Sequence, residues 1–251
     1  MAKRNVKQVV EDRWEKKEEV GRVVQDKFRV LRQVPSLQAK TEAQKHYLKS
    51  LKENTISLAV GHAGCGKSYC AAYYAAQLYN DGIIDKIIVT RPYAHLGTDY
   101  GATPGTDFDK LLPFCRPTLD TIKKVLGDGN YNYCIEKGDV EIAPLEKIQG
   151  RSFDESCAII ADEMQNATKP QAISLVTRLG EKVKFLAVCG DPRQAIKGGE
   201  NTLDWMTRFF ERNKISGVGI THFTEDDCVR SGIVREILIA FEREGGFYNT
   251  L

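Results

Sequence analysis

The segment Gly61-His62-Ala63-Gly64-Cys65-Gly66-Lys67-Ser68 fits G-x-x-x-x-G-K-[ST], a residue spacing suited to holding phosphate groups. Its glycines let successive backbone N–H groups curl around phosphate oxygens, and a helix starting there points its positive dipole end at them. Lys67 then reaches the β- and γ-phosphates, and the Ser68 hydroxyl ligates Mg2+. Tyr69 follows directly and completes the set of candidate nucleotide-binding residues. The flanks agree with this reading. Ile56 to Val60 reads as a strand, and Tyr69 to Tyr79, Ala-rich and free of Gly and Pro, reads as a helix.

A carboxylate pair, Asp162-Glu163, follows the apolar run Cys157 to Ala161. Asp162 suits Mg2+ held through a water, and Glu163 suits orienting and polarising an attacking water. The ligand crevice of a parallel sheet lies at the carboxyl ends of its strands, which sets this pair beside the phosphate loop. A third element, Gly190-Asp191-Pro192-Arg193-Gln194, stands beyond another apolar run. Gln194 there is a candidate sensor of the γ-phosphate, although Gly-Asp-Pro is also an ordinary turn sequence.

These residues need a scaffold that brings strand ends together. From about residue 41 the pattern alternates helices with short β-rich runs: strands at Lys86–Thr90, Val140–Ala143, Val183–Cys189 and Val218–Phe223 join the two already named. Helices are expected near Pro117–Leu126, Pro170–Leu179, Leu203–Arg212 and Val229–Glu244. Near-continuous apolar strands separated by helices predict an α/β fold with a mainly parallel sheet covered on both faces. Residues 1–40 differ. Residues 1–32 hold ten Lys/Arg against six Asp/Glu, and Val6, Val9, Val10 and Trp14, then Val24, Phe28 and Leu31, fall at helical spacing. They read as a basic amphipathic helical arm, either peripheral and solvated or a contact for a subunit or nucleic acid. The expected organisation is an arm over 1–40, a folded domain over 41–245 and a flexible tail over 246–251.

A net charge of +2 is too small to imply a nucleic-acid partner by itself. Seven cysteines without C-x-x-C pairs suggest neither a disulfide framework nor a zinc site, and a reducing compartment fits them best. With no signal peptide and no membrane-length apolar run, the chain reads as cytoplasmic, with no membrane partner.

The series Gly61–Ser68, Thr90-Arg91-Pro92, Gly150-Arg151-Ser152-Phe153, Asp162-Glu163-Met164-Gln165-Asn166, Thr177-Arg178, Gly190-Asp191…Gln194 and Val229-Arg230 resembles the PhoH family. These are P-loop ATPases similar to the first motor domain of superfamily 1 helicases. The resemblance runs from about Thr41 to Glu242 and is similar to the short PhoH-like proteins common in bacteriophages. It implies a RecA-like fold, ATP and Mg2+ as ligands, ATP hydrolysis, and coupling to RNA or single-stranded DNA. A different class of function stays open, a nucleotide-gated interaction module with slow hydrolysis. A small-molecule kinase shares the phosphate loop, but Glu163 and Gln194 suit water activation better.

The same resemblance implies further roles. Gln44 sits where helicases place a glutamine that reads adenine, while Thr41-x-x-Gln44 is also a capping box. Arg91 resembles a position that touches a nucleic-acid backbone, with Tyr93 and Tyr100 available for base stacking. Phosphoryl transfer usually needs a cation beyond Lys67 and Mg2+, which similar helicases take from a second motor domain. The expectation is therefore a homo-oligomer, a ring such as a hexamer, in which a neighbour donates an arginine in trans. Arg178 and Arg230 are the first candidates, with Arg151 and Arg193 behind them.

Overall fold

The structure, a computed structural model, describes residues 34–93, 107–195, 201–230 and 232–243. Residues 1–33 of the arm expected over 1–40 lie outside the described residues, as do Tyr100 and residues 244–251, which include the tail expected over 246–251. Residues 34–40 are described and have no regular structure. They are bound to the domain, for Pro35 O accepts hydrogen bonds from Tyr73 Oη at 2.8 Å and Gln77 Nε2 at 3.1 Å. The folded body therefore takes in the chain from Val34 rather than from residue 41.

Six strands form one parallel sheet: β1 (Ile56–Gly61), β2 (Lys86–Arg91), β3 (Val140–Pro144), β4 (Cys157–Ala161), β5 (Val183–Gly190) and β6 (Val218–Phe223). Their order is β3-β2-β4-β5-β1-β6, with every neighbouring pair parallel. The helices are α1 (Glu42–Glu53), α2 (Lys67–Asn80), α3 (Asp107–Leu126), α4 (Asp128–Lys137), α5 (Lys169–Val176), α6 (Thr202–Asn213) and α7 (Gly232–Arg243). Strand residues alternate between two cores, as a period of two requires. Ala59, Ile87, Val89, Ala158, Ile160, Phe185 and Ala187 pack with α1–α4. Leu58, Ile88, Ile159, Val188 and Met164 pack with α5 and α6 on the other face. Both faces being covered explains why β4 is buried at all five positions.

Four helices depart from the expectation, three in their bounds and one in its existence. α3 starts ten residues before Pro117 and contains Pro113 and Pro117. Both prolines are on the exposed side of the helix. α5 stops at Val176 because the chain turns into an isolated parallel bridge between Phe153 and Leu179. α7 starts at Gly232, not Val229, whose N–H instead ties the chain to Gly64 O at 3.1 Å. α4 was not expected at all; its apolar stripe, Tyr131, Cys134 and Ile135, is one turn long, and only Cys134 in it is fully buried.

Candidate nucleotide-binding site

The phosphate loop leaves the carboxyl end of β1 and enters α2. Gly64 and Gly66 have φ of 80° and 81°, and Gly66 caps α2 without a side-chain hydrogen bond. A methyl group on Gly61 would lie 1.9 Å from Phe223 O on the neighbouring β6, so glycine alone fits there. Lys67 is 8 % exposed, and its ammonium donates to Gly61 O at 2.7 Å and His62 O at 2.6 Å. The lysine thus rests on the carbonyls of the loop that it would cross to reach phosphate.

Ser68 and Asp162, far apart in sequence, are joined directly: Ser68 Oγ donates to Asp162 Oδ1 at 2.7 Å. One comes from the first turn of α2 and the other from the end of β4. A hydroxyl and a carboxylate are hard oxygen donors of the kind Mg2+ takes, and that ion commonly keeps waters and binds through one or two protein oxygens plus phosphate. Among the described residues no group of three or more His, Cys, Asp or Glu is arranged to hold a metal.

Glu163 follows in a left-handed conformation, φ 55°, which for a residue with a Cβ costs on the order of 1–3 kcal/mol. Its carboxylate accepts from Gln165 Nε2 at 2.5 Å, and Arg91 Nη2 stands 4.0 Å from the other oxygen. Gln165 is 3 % exposed, and its carbonyl accepts the Asp191 N–H at 3.2 Å. Gln194 Nε2 donates to Asp191 Oδ2 at 3.3 Å, and Arg193 Nε donates to Asp191 Oδ1 at 2.9 Å. Arg193 Nη1 meets His62 Nε2 at 2.5 Å. Burial, then the nearby Arg193 guanidinium, lowers the His62 pKa. The ends of β1, β4 and β5 are thereby linked from Glu163 to the phosphate loop. Gln165 had no role in the sequence reading beyond its place in Asp-Glu-x-Gln-Asn; its position two residues past Glu163 was the available signal.

The remaining candidates fall in different places. Gln44 is 4 % exposed and braces the loop from behind: Nε2 donates to Cys65 O at 2.9 Å while Oε1 accepts the Lys40 N–H at 2.8 Å. Thr41 Oγ1 accepts the Gln44 N–H at 3.2 Å, so the capping half of the two readings is present as an N-cap, with Lys40 rather than Thr41 closing the return bond. Ala63 and Cys65 lie within the loop, and Tyr69 is partly exposed on α2. Burial pushes the Cys65 thiol up to about 11. Arg178 stands at the other end of the sheet, just before β5, where Nε donates to Ser174 Oγ at 3.0 Å. Arg151, also at that end, is paired with Glu141 and Glu155 and stacks 5.2 Å from the Phe153 ring. Arg91 Nη1 donates to Phe114 O, and its guanidinium lies 5.6 Å from that exposed ring. The Tyr93 N–H donates to Glu146 Oε1.

A parallel α/β sheet with a glycine-rich loop running into a helix, a carboxylate from the second strand over, and a hydroxyl between them defines a P-loop nucleoside-triphosphatase fold. The family model described as PhoH-like protein matches residues 36–242, and the chain belongs to that family. It is 38% identical over 210 residues to Protein PhoH of Escherichia coli K12, covering 81% of this chain and 57% of that one. It is 32% identical over 249 residues to a PhoH-like protein of Bacillus subtilis, covering 97% and 73% respectively. Among solved structures, the N-terminal domain of the DNA packaging ATPase from bacteriophage phi29 is similar at 13% identity and a TM-score of 0.45, covering 76% of this chain and 98% of that one. Among the described residues no helix is long and apolar enough to cross a membrane.

Proposed function

We propose that this protein hydrolyses ATP with Mg2+ and that single-stranded RNA or DNA governs the rate. The observation that carries the reading is Glu163 set beside the Ser68–Asp162 pair at the mouth of the phosphate loop. Mg2+ on that pair would neutralise charge on the bridged phosphates. Lys67, released from the Gly61 and His62 carbonyls, binds the phosphates, and Glu163 orients water for attack on the terminal one. Gln194, held on Asp191 just beyond the carboxyl end of β5, is suited to sense the terminal phosphate.

Coupling to nucleic acid is supported by the position of Arg91. Its guanidinium is shared between Glu163 and the exposed Phe114 ring, so a backbone phosphate that draws Arg91 away alters the surroundings of Glu163. Phe114 offers an aromatic face on which a base can stack. Arg178, at the sheet end opposite its own nucleotide site, is suited to a packing contact with a neighbour in a head-to-tail ring rather than to its own site.

The test is ATP hydrolysis by purified protein with and without single-stranded RNA and DNA, with Lys67→Ala prepared identically to control for contaminants. Stimulation by one nucleic acid, absent in the variant, supports the reading and names its substrate class. Hydrolysis indifferent to both moves the assignment to a nucleotide-gated assembly. No hydrolysis above the control rejects the enzyme.

A further inference from the structure

The carboxyl ends of β1 and β6 lie side by side, Gly61 opposite Phe223 in register. The chain leaving each strand therefore runs along the other. Residues 223–230 form a strap over the phosphate loop, tied at four points. His62 N–H donates to Phe223 O at 3.4 Å, Cys65 Sγ donates to Thr224 O at 3.3 Å, Glu225 lies 3.4 Å from His62 Nε2, and Val229 N–H donates to Gly64 O at 3.1 Å. At its end, Arg230 extends along Gly64: a methyl group there would lie 2.9 Å from both Cδ and Nε of the arginine.

Resting on the hydrolytic reading above, we propose that Arg230 is a catalytic residue in cis, contacting the terminal phosphate of the nucleotide bound by its own subunit. The site then holds the extra cation that phosphoryl transfer requires without borrowing it from a neighbour. The other three candidate arginines are engaged or remote. Arg193 is pinned to Asp191, Arg151 is tied into two ion pairs, and Arg178 stands at the far end of the sheet. Arg230 is exposed, and among the described residues no carboxylate or other hydrogen-bonding group engages its guanidinium. A cation without a counter-ion, lying on a loop built of anion-seeking N–H groups, raises the local positive potential where phosphate must enter. Topology makes the placement a property of one chain, because strap and loop leave adjacent strands at the same end.

Three measurements on Arg230→Ala and Arg230→Lys decide the matter. The first is the affinity of fluorescent ATP and ADP analogues with Mg2+. Arg230→Ala is expected to bind ADP within about twofold of wild type, which also reports an intact fold, and to lose most of its preference for ATP, with Arg230→Lys between the two. The second is turnover, expected to fall by ~10³-fold or more in Arg230→Ala, the range for an arginine at a transferring phosphate. The third mixes Arg230→Ala with Glu163→Gln in assemblies co-purified through two different tags. If Arg230 acts in cis, every site lacks one of the two residues and mixing restores nothing. Turnover restored by mixing means donation in trans and overturns the proposal, as does an Arg230→Ala that keeps full rate and full ATP preference. If wild type hydrolyses no ATP, the hydrolytic reading falls alone, and the ATP preference of Arg230→Ala decides by itself: its loss upholds the contact, its retention rejects it.

Discussion

The Ser68 hydroxyl and the Asp162 carboxylate lie 2.7 Å apart, joining the first turn of α2 to the end of β4 across the intervening strand β5. The contact between a phosphate-loop hydroxyl and a strand-end carboxylate turns two separate sequence motifs into one donor pair.

Breaking that pair is expected to weaken Mg2+-dependent binding selectively. Asp162→Asn and Ser68→Ala should each lower affinity for a fluorescent ATP analogue about tenfold or more with Mg2+, since interactions with a charged group are worth roughly 1.5–3 kcal/mol. In EDTA the variants and wild type should bind alike. Equal losses in both conditions would mean that the pair serves the fold rather than the metal.

Lys67 and Glu163 should separate binding from turnover. Lys67→Ala is expected to abolish tight nucleotide binding, because it removes the ammonium that the loop itself holds, on the Gly61 and His62 carbonyls, for the phosphates. Glu163→Gln should bind ATP as wild type does while turnover falls ~10²–10⁴-fold, the span for a lost general base. Normal hydrolysis by Glu163→Gln would assign water activation elsewhere.

The Gln165 carboxamide needs the bare backbone of Gly190. A methyl group at 190 would lie 2.3 Å from Gln165 Oε1 and 2.8 Å from Leu203 Cδ2. Gly190→Ala is therefore expected to destabilise the protein by about 1–3 kcal/mol, as overpacking does. A Tm lowered by roughly 2–4 °C per kcal/mol checks this in a thermal melt. Gln165→Ala should slow turnover with little change in nucleotide affinity, since its donor holds the Glu163 carboxylate. An unchanged rate would separate Gln165 from Glu163.

The seven cysteines should differ sharply in reactivity. Six are buried and Cys228 is partly exposed. Burial pushes Cys65 to about 11 and Cys70, Cys157 and Cys189 to about 12, so their thiolates are scarce at neutral pH. Brief N-ethylmaleimide treatment of native protein followed by peptide mass spectrometry should find Cys228 modified first. Rapid labelling of Cys65 would mean that the phosphate loop opens often.

Strands and motifs were legible in the amino-acid order because they are local. A parallel strand covered on both faces must be an unbroken apolar run, and Cys157–Ala161 and Val218–Phe223 were read to the residue. The glycine spacing of the phosphate loop and the Asp162-Glu163 step at a strand end likewise need only their neighbours to be recognised. α4 escaped because its stripe, Tyr131, Cys134 and Ile135, spans a single turn, and the start of α3 because prolines normally open a helix rather than sit inside one.

What only the tertiary structure decided is which side chains meet. Gln44 became a brace on Cys65, Gln165 a link from Glu163 to Asp191, and Arg230 a neighbour of Gly64 in its own chain. Each of these pairings depends on strand order and register, set by the packing of two cores against one sheet. No local spacing encodes that Phe223 lies beside Gly61, and from that single register follows the path of the strap that carries Arg230 over the phosphate loop.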